Sequence, residues 1–262
     1  GRSVLKPFAG EHKFSFATET LVGCTWNKDI AARQGELIGD YGLWAHIVGW
    51  YAPGLNIHRT PFSGRNFEYY SEDATLSAAM AANVIAGARS KGMITFMKHF
   101  ALNDQENNRD TDGIATWADE QTMRENYLKV FEWAVKKGGS NGAMSSFNRI
   151  GFTWSGASYA LLTELLRGEW GFEGVVITDA HAAGQGCMNA NQMSLDSREG
   201  SIARVVNSEE SNTATQLTAL HNACKHILYT QLNSAAMNNG YAMESLPYSE
   251  TSVNAAGATV NV

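Results

Sequence analysis

Short apolar runs alternate with longer segments of helical periodicity along most of the chain. Five of these runs are predicted as strands, because they are short, rich in β-branched or small residues, and bounded by polar or glycine-containing turns. They are Leu21–Thr25, Ile47–Ala52, Met93–Met97, Gly142–Asn148 and Gly174–Asp179. A sixth strand is predicted at Ser201–Val206, where the apolar signal is weaker.

Helical patterns fill the intervals between these runs. Asn27 is predicted to cap the first of the helices, Ser71 the next, and Thr116 with Asp119 the third. A short leucine-rich helix precedes the fifth run, and a long final helix spans Leu217–Leu232. Strand and helix repeated about five times predict an α/β fold, and specifically a TIM-like (β/α) barrel.

The domain organisation follows from the same pattern. Residues 1–19 form an N-terminal segment, residues 20–240 the barrel, and residues 241–262 a tail without helical period. The chain has 262 residues, of which 44% are hydrophobic, which suffices for a sizeable core.

Charge and composition exclude several classes of function. A formal net charge of −6 argues against nucleic-acid binding, which needs a basic face. No apolar run approaches the roughly 20 residues of a membrane span, so no membrane partner is expected. No signal peptide is visible in the sequence, which favours a cytoplasmic location for the protein. The cysteines at 24, 187 and 224 are predicted to be buried thiols rather than a disulfide framework.

Polar residues stand where buried strands end, and in parallel α/β folds this edge binds ligands. Asp179 follows a fully apolar run, so it is a candidate for chemistry, with a helix N-cap as the alternative. Lys98 and His99 follow another apolar run, and as adjacent donors they suit the hydroxyls of a polar substrate better than a solvated surface. Arg65, in a long loop, has as its alternative an ion pair with Glu68 or Asp73.

No cofactor or metal is predicted. His181 and Cys187 lie in one loop without further ligands, and His221 and His226 do not share a helix face well. His58 is interpreted as a packed loop histidine. The chain has no glycine-rich phosphate loop and no Gly-x-Ser-x-Gly elbow.

The sequence resembles the N-terminal barrel of the family 3 glycoside hydrolases, which include the bacterial β-glucosidases. Five motifs carry this resemblance in the family's order: Asn56–Arg59, Gly64–Asp73, Lys98–Glu106, Met144–Asn148 and Trp170–Asp179. The segment Ile227–Thr230 of the last helix adds to it, so that the likeness covers roughly residues 20 to 240.

The resemblance implies retaining hydrolysis of a terminal β-linked glucose-type sugar in a β-glucoside or oligosaccharide. Asp179 falls on the family's nucleophile, which would form a glycosyl-enzyme ester that water releases. Arg65, Lys98 and His99 match positions that hold sugar hydroxyls, and their donors would also keep the nucleophile ionised. Phe147 is expected to line the sugar site where many relatives place a Tyr.

Departures from the family pattern leave a second function open. Relatives have a barrel strand ending in Asp-Gly and a second domain that supplies the acid/base Glu, and neither is found in this sequence. Ala180 replaces the aromatic residue that usually follows the nucleophile, and Ile202 stands where Gly-Thr-Asp is common. The alternative is therefore a catalytically impaired or redesigned barrel that serves as a sugar-binding module or scaffold.

These differences also predict an incomplete or irregularly closed barrel, with an exposed edge beside the strand predicted at residues 21–25. The edge can be covered by Glu11–Ala17, by the tail Ser252–Val262, or by a second subunit or missing complementary domain. The N-terminal segment is favoured, because Phe14 and Phe16 alternate with a polar residue.

Overall fold

A parallel sheet of four strands forms the centre of the molecule. The computed structural model describes residues 15–109, 114–179, 214–237, 251–253 and 259–261. The strands of the sheet are β1 (Gly49–Trp50), β2 (Ile94–Phe100), β4 (Gly142–Ser145) and β7 (Val175–Ile177). They lie in the order β1-β2-β4-β7, and all neighbouring strands are parallel. Four of the predicted strands are therefore confirmed, with shorter bounds for three of them.

The register of the sheet brings the carboxyl ends of three strands to one edge. Gly142 of β4 pairs with Phe96 of β2 on one side and with Val175 of β7 on the other. The register between β2 and β4 then shifts. Met97 and Phe100 are three positions apart but pair with Ala143 and Ser145, which are two positions apart, so β2 has one extra residue here. This irregularity lies at Lys98 and His99, and a bulge of this kind re-aims the side chains beside it.

A smaller sheet lies in the loops that follow β2 and β4. β3 (Ala115–Thr116) pairs in parallel with β5 (Arg149–Ile150), and β5 forms a tight antiparallel hairpin with β6 (Thr153–Trp154). The loop after β2 is thereby fastened to the loop after β4.

Helices α1 (Glu19–Gly23), α2 (Lys28–Trp44) and α3 (Ala74–Arg89) precede β2. The cap of α2 by Asn27 is confirmed, because its Oδ1 accepts from the backbone N–H of Asp29 at 2.9 Å. The cap of α3 was wrongly assigned to Ser71. Asp73 is the N-cap, with its Oδ1 2.7 Å from the backbone N of Leu76, because it is the residue directly before the first helical turn.

Between β3 and β7 the helices contain π-helical segments. One helix runs through α4 (Glu120–Thr122), a π-helical stretch (Met123–Leu128) and α5 (Lys129–Lys136). Asp119 caps it through the backbone N of Thr122 at 2.7 Å, whereas Thr116, its predicted capping partner, belongs to β3. The leucine-rich helix before β7 is π-helical over Ala160–Glu169, and the last helix is α6 (Ala214–Leu232).

The strand predicted at residues 21–25 is wrong, because this stretch begins as helix α1. Thr18 accepts a hydrogen bond from the backbone N of Leu21, which starts a helical turn. Thr20 donates its hydroxyl to the carbonyls of Asn66 and Tyr69, which holds the turn against the loop before α3. These contacts come from residues some 50 positions away, so the local β-branched character did not decide the conformation.

The main core lies between the sheet and α2, α3 and α5. Aromatic rings mark its centre: the Phe100 centroid lies 5.0 Å from that of Phe131 and 5.8 Å from that of Trp170. Helices α2 and α3 cross closely through glycines. A Cβ atom on Gly35 would collide with the backbone carbonyl of Val84, and one on Gly87 with that of Ala32.

The segments predicted to close the barrel do not form strands of the main sheet where they are described. Residues 15–18 belong to neither a helix nor a strand, and Phe16 packs edge-on against Tyr41 with centroids 6.1 Å apart. The strands β8 (Thr251–Val253) and β9 (Thr259–Asn261) pair with each other. Within the described ranges the parallel sheet therefore stays open, and residues 11–14 and the predicted strand 201–206 lie outside them.

Both cysteines that the structure describes lie at the surface. Cys24 and Cys224 are exposed free thiols rather than the buried thiols predicted, because Cys24 directly follows the end of α1 and Cys224 lies on an outward position of α6. Cys187 lies outside the described residues. Among the helices that the structure describes, none is long and apolar enough to cross a membrane.

The glycine-mediated crossing of α2 and α3 generates a stability prediction. Gly35→Ala is expected to lower the free energy of unfolding by roughly 1–3 kcal/mol, because the added methyl has to push Val84 away in a close-packed interface. Urea unfolding measures the change. Gly168→Ala is the matched control: its Cβ would meet only Thr163 O at 3.5 Å, so a gain of about 0.5–1 kcal/mol is expected. Equal effects of the two substitutions would contradict the close crossing.

Candidate active site

The residues predicted to act on a substrate meet at the carboxyl edge of the parallel sheet. Lys98 and His99 lie at the end of β2, Phe147 two residues beyond β4, and Asp179 two residues beyond β7. Arg65 enters from the loop that leads to α3, immediately before a 3-10 turn at Asn66–Glu68. The prediction that these side chains share one site agrees with their contacts.

Ion pairs link the charged side chains of this edge into one continuous cluster. Oδ2 of Asp179 lies 3.5 Å from Nη1 of Arg109. Nε of the same arginine lies 3.0 Å from Oε2 of Glu106. Glu106 is 3.6 Å from Nη1 of Arg65. Negative and positive groups therefore alternate along the first half of this charged cluster.

The second half of the charged cluster runs through Glu68. Arg65 Nε contacts Oε1 of Glu68, and Lys98 Nζ lies 3.2 Å from its Oε2. The ion pair of Arg65 with Glu68, weighed from the sequence as the alternative to substrate binding, is thus present. It does not exclude a binding role, because the same guanidinium also reaches Glu106 in the charged cluster.

Glu68 is the most buried carboxylate of the cluster, with its side chain 4% exposed. Burial opposes its ionisation, but Lys98 and Arg65 outweigh burial and hold the pKa of Glu68 below its ordinary value. Glu68 is therefore a fixed anion that orients two cations.

His99 is fully buried, and its ring bridges Tyr69 and Asp179. Its Nδ1 lies 3.3 Å from the Tyr69 hydroxyl, and its Nε2 lies 3.8 Å from Oδ2 of Asp179. Burial, followed by the charges of Lys98, Arg65 and Arg109, holds the pKa of His99 well below its ordinary value, so the ring is neutral. Burial also raises the pKa of Tyr69. Because Nε2 faces the Asp179 carboxylate, we assign the tautomer with the proton on Nε2, in which the neutral phenol of Tyr69 donates to Nδ1.

Asn56 fixes the backbone of this histidine. Its Oδ1 accepts from the His99 N–H at 2.8 Å, and its Nδ2 donates to the His99 carbonyl at 3.0 Å. The buried amide thereby imitates a neighbouring strand beyond the end of β1, where β2 continues.

Sequence reasoning missed Arg109, Asn56 and Tyr69 as parts of this site. Arg109 bridges Asp179 and Glu106 and also lies over the Phe147 ring, with 4.8 Å from Cζ to the ring centroid. A usable signal was its position three residues after Glu106, in the polar loop that follows β2. Phe147 is thus placed beneath a cation at the site, with its ring as an apolar support.

Two further histidines, His58 and His226, have structural contacts. Nε2 of His58 lies 2.8 and 2.9 Å from the carbonyls of Asn66 and Tyr69, as expected of a packed loop histidine. Nδ1 of His226 lies 2.8 Å from the Glu173 carbonyl. Within the described ranges, no three His, Cys, Asp or Glu residues come together as a metal site, and His181, Cys187, Ala180 and Ile202 lie outside them.

Asp104 is a second buried carboxyl group close to the charged cluster. It is 3% exposed, and its Oδ1 accepts from the backbone N of Ile57 at 3.0 Å. Burial raises the pKa of Asp104 to about 7, although the Ile57 N–H and the charge of Arg59 favour the anion. Near neutral pH this group can therefore donate as well as accept a hydrogen bond.

Comparison with known proteins agrees with this fold. The model of the glycosyl hydrolase family 3 N-terminal domain matches residues 14–203. Beta-glucosidase A of Butyrivibrio fibrisolvens is 42% identical over 175 residues, which cover 67% of this chain and 21% of the relative. A beta-glucosidase of Rhizobium radiobacter is 42% identical over 164 residues, which cover 63% and 20%. The chain thus spans about a fifth of the length of these relatives.

The structural comparison extends over more of the chain. Beta-glucosidase 3B from Thermotoga neapolitana, solved in complex with alpha-D-glucose, superposes with a TM-score of 0.78 and 31% identity over 86% of this chain and 33% of that one. The predicted TIM-like α/β fold is thereby confirmed.

The raised pKa of Asp104 predicts how stability depends on pH. The stabilising contribution of the neutral carboxyl is complete below the unfolded pKa of 3.8 and is lost as the pH rises through about 7. Asp104→Asn keeps the acceptor for Ile57 and does not titrate. Between pH 3.8 and about 7, the free energy of unfolding of the Asp104→Asn variant relative to that of the parent is expected to rise by up to about 1.4 kcal/mol per pH unit.

Urea unfolding at a series of pH values measures this difference. Asp29→Asn, which changes an exposed carboxyl in the first turn of α2, is the control and should give a flat difference over the same range. A flat difference for Asp104→Asn as well would show that burial does not penalise the Asp104 anion.

Proposed function

The chain belongs to glycosyl hydrolase family 3, and from this membership we propose that it carries the nucleophile side of a site that hydrolyses terminal β-linked glucosides with retention. The single observation that carries the proposal is the placement of Asp179 at the end of β7, with Arg109 at 3.5 Å and His99 at 3.8 Å from its Oδ2. The names of the similar proteins, which are beta-glucosidases, support the class of substrate.

The charged cluster supplies what the first half-reaction needs. A carboxylate oxygen of Asp179 attacks the anomeric carbon, the bond to the leaving group breaks, and a glycosyl ester forms. Lys98, Arg65 and Arg109 provide cationic donors, and the Nε2–H of His99 provides a neutral donor, for the hydroxyls of the sugar ring. Because these donors are fixed by Glu68, Glu106, Tyr69 and Asn56, little ordering remains to be done when a sugar binds.

The charged cluster does not offer an obvious general acid. Glu68 contacts both Lys98 and Arg65, which hold its pKa below the ordinary value, so it is a poor proton donor. Glu106 is in contact with both Arg109 and Arg65. We therefore expect this chain by itself to favour glucosides with good leaving groups, whose departure needs no protonation.

The nucleophile assignment is tested by trapping the ester. An activated glucoside with fluorine at its second carbon is expected to add one fluoroglucosyl group to the protein. The fluorine slows both formation and hydrolysis of the ester, whereas the good leaving group accelerates only its formation, so the ester accumulates. Intact mass and peptide mapping should place this group on Asp179. Asp179→Asn should abolish labelling, whereas Asp73→Asn, which keeps the cap of α3, should label as the parent does.

The trapping experiment also separates the two functional readings. An adduct on a residue other than Asp179 would refute the assignment. Binding of glucose without any adduct would favour the alternative, a barrel of the same fold that binds sugars without hydrolysing them.

Small anions are expected to accelerate turnover of an activated aryl glucoside. Azide can attack the glycosyl ester without a general base, which water needs, so the rate of phenol release after the first turnover should rise at least about tenfold. Product analysis should show the β-glucosyl azide, since two displacements retain configuration. With Asp179→Ala, azide should attack the substrate directly and give the α-azide. Fast hydrolysis of unactivated cellobiose without azide would contradict the prediction and indicate an internal acid such as Glu106.

A further inference from the structure

A pocket lies beside the charged cluster and is not used by the proposed chemistry. Its volume is about 130 Å³. Polar and aromatic side chains predominate among its lining residues, which include Arg59, Asp104, Gln105, Thr116, Trp117 and Asn148. We refer to it as the flanking pocket.

The flanking pocket and the charged cluster share two loops. Gln105 lines the pocket, and the next residue, Glu106, pairs with Arg109 in the cluster. Asn148 lines the pocket, and the residue before it, Phe147, lies beneath Arg109. Successive residues of each loop therefore contribute to the charged cluster and to the flanking pocket, so the pocket is adjacent to the place where a substrate would react.

Buried polar atoms line the flanking pocket. Asn148 is 1% exposed, and its Nδ2 donates to Ala101 O at 3.1 Å and contacts Thr116 Oγ1 at 3.4 Å. Its Oδ1 is buried and has no hydrogen-bond partner among the described residues. Asp104, held by the Ile57 N–H, adds a buried carboxyl group. An unsatisfied buried acceptor beside a cavity is costly unless a ligand or water donates to it.

Aromatic side chains form the outer rim. Trp117, which lines the pocket, is 67% exposed, and its ring meets that of Phe152 edge-on with centroids 5.3 Å apart. Phe152 is 87% exposed, so the pair presents a large apolar surface to solvent. The hairpin of β5 and β6 and its pairing with β3 hold these two rings in place.

We propose that the flanking pocket is a second carbohydrate subsite, which binds one hydroxyl-rich ring of a sugar beside the charged cluster. An engineered cavity of about 150 Å³ takes a benzene ring, so the space suits a single six-membered ring. Sugar hydroxyls donate to Asn148 and Asp104 and accept from Arg59 and Gln105, while the C–H face of the ring packs on Trp117. A metal cation is disfavoured, because Arg59 lines the same space.

The choice of a sugar as ligand rests on the proposed function, and the position of the pocket suggests a neighbouring unit of the same oligosaccharide. The experiment therefore observes the pocket directly. Protein labelled with fluorotryptophan gives separate fluorine NMR signals for its seven tryptophans, and Trp117→Phe identifies the signal of Trp117. Asp179→Asn is introduced so that cellobiose is not hydrolysed during the titration.

Cellobiose is expected to shift the Trp117 signal saturably, with a Kd in the millimolar range. The signal of Trp26, which is 75% exposed and lies outside the pocket, should not move. In unlabelled protein, calorimetry should show about tenfold weaker binding of cellobiose by Trp117→Ala and unchanged binding by Trp26→Ala. A Trp117 signal that stays constant, or equal effects of the two alanine variants, would overturn the proposal.

Failure of the subsite and failure of the proposed function are distinguishable. An adduct on Asp179 together with a Trp117 signal that cellobiose does not shift would overturn only the proposal of a sugar subsite in the flanking pocket. A shifted Trp117 signal without any adduct would overturn only the proposed reaction at Asp179.

Discussion

The pairing of β4 with β2 on one side and β7 on the other is the constraint on which the site depends. Because all three strands run in parallel, their carboxyl ends reach the same edge, and the register sets Lys98, His99, Phe147 and Asp179 side by side. The extra residue of β2 falls at this edge, and Asn56 replaces the pairing that the irregular backbone loses. The sheet thereby provides a rigid base for residues that come from separate parts of the chain.

A buried edge with so many charges has to be neutralised internally. Three carboxylates and three cations alternate through Asp179, Arg109, Glu106, Arg65, Glu68 and Lys98, so each buried charge has an opposite charge beside it. Such a cluster contributes little to net stability, because desolvation offsets most of the attraction. It does hold the donors in fixed positions, and a fixed array of donors can recognise a ring with many hydroxyls without reorganising.

The loops after β2 and β4 have two faces with different roles. One face presents Glu106 and Phe147 to the charged cluster, and the other presents Gln105 and Asn148 to the flanking pocket. The small sheet of β3, β5 and β6 ties these loops together. A sugar chain long enough to fill both the charged cluster and the flanking pocket would make its second contact at a pocket whose position is already set.

The sequence by itself determined the regular elements with strong local signals and the residue types of the site. Apolar runs identified β2, β4 and β7, periodicity and an N-cap identified α2, and the motifs around Asp179, Lys98 and Arg65 identified the family, because all of these depend on neighbouring residues. Tertiary structure alone decided that residues 19–23 are helical and that Arg109, Tyr69 and Asn56 belong to the site. Their roles arise from contacts between residues some 30 to 70 positions apart, and local propensity carries no information about such contacts.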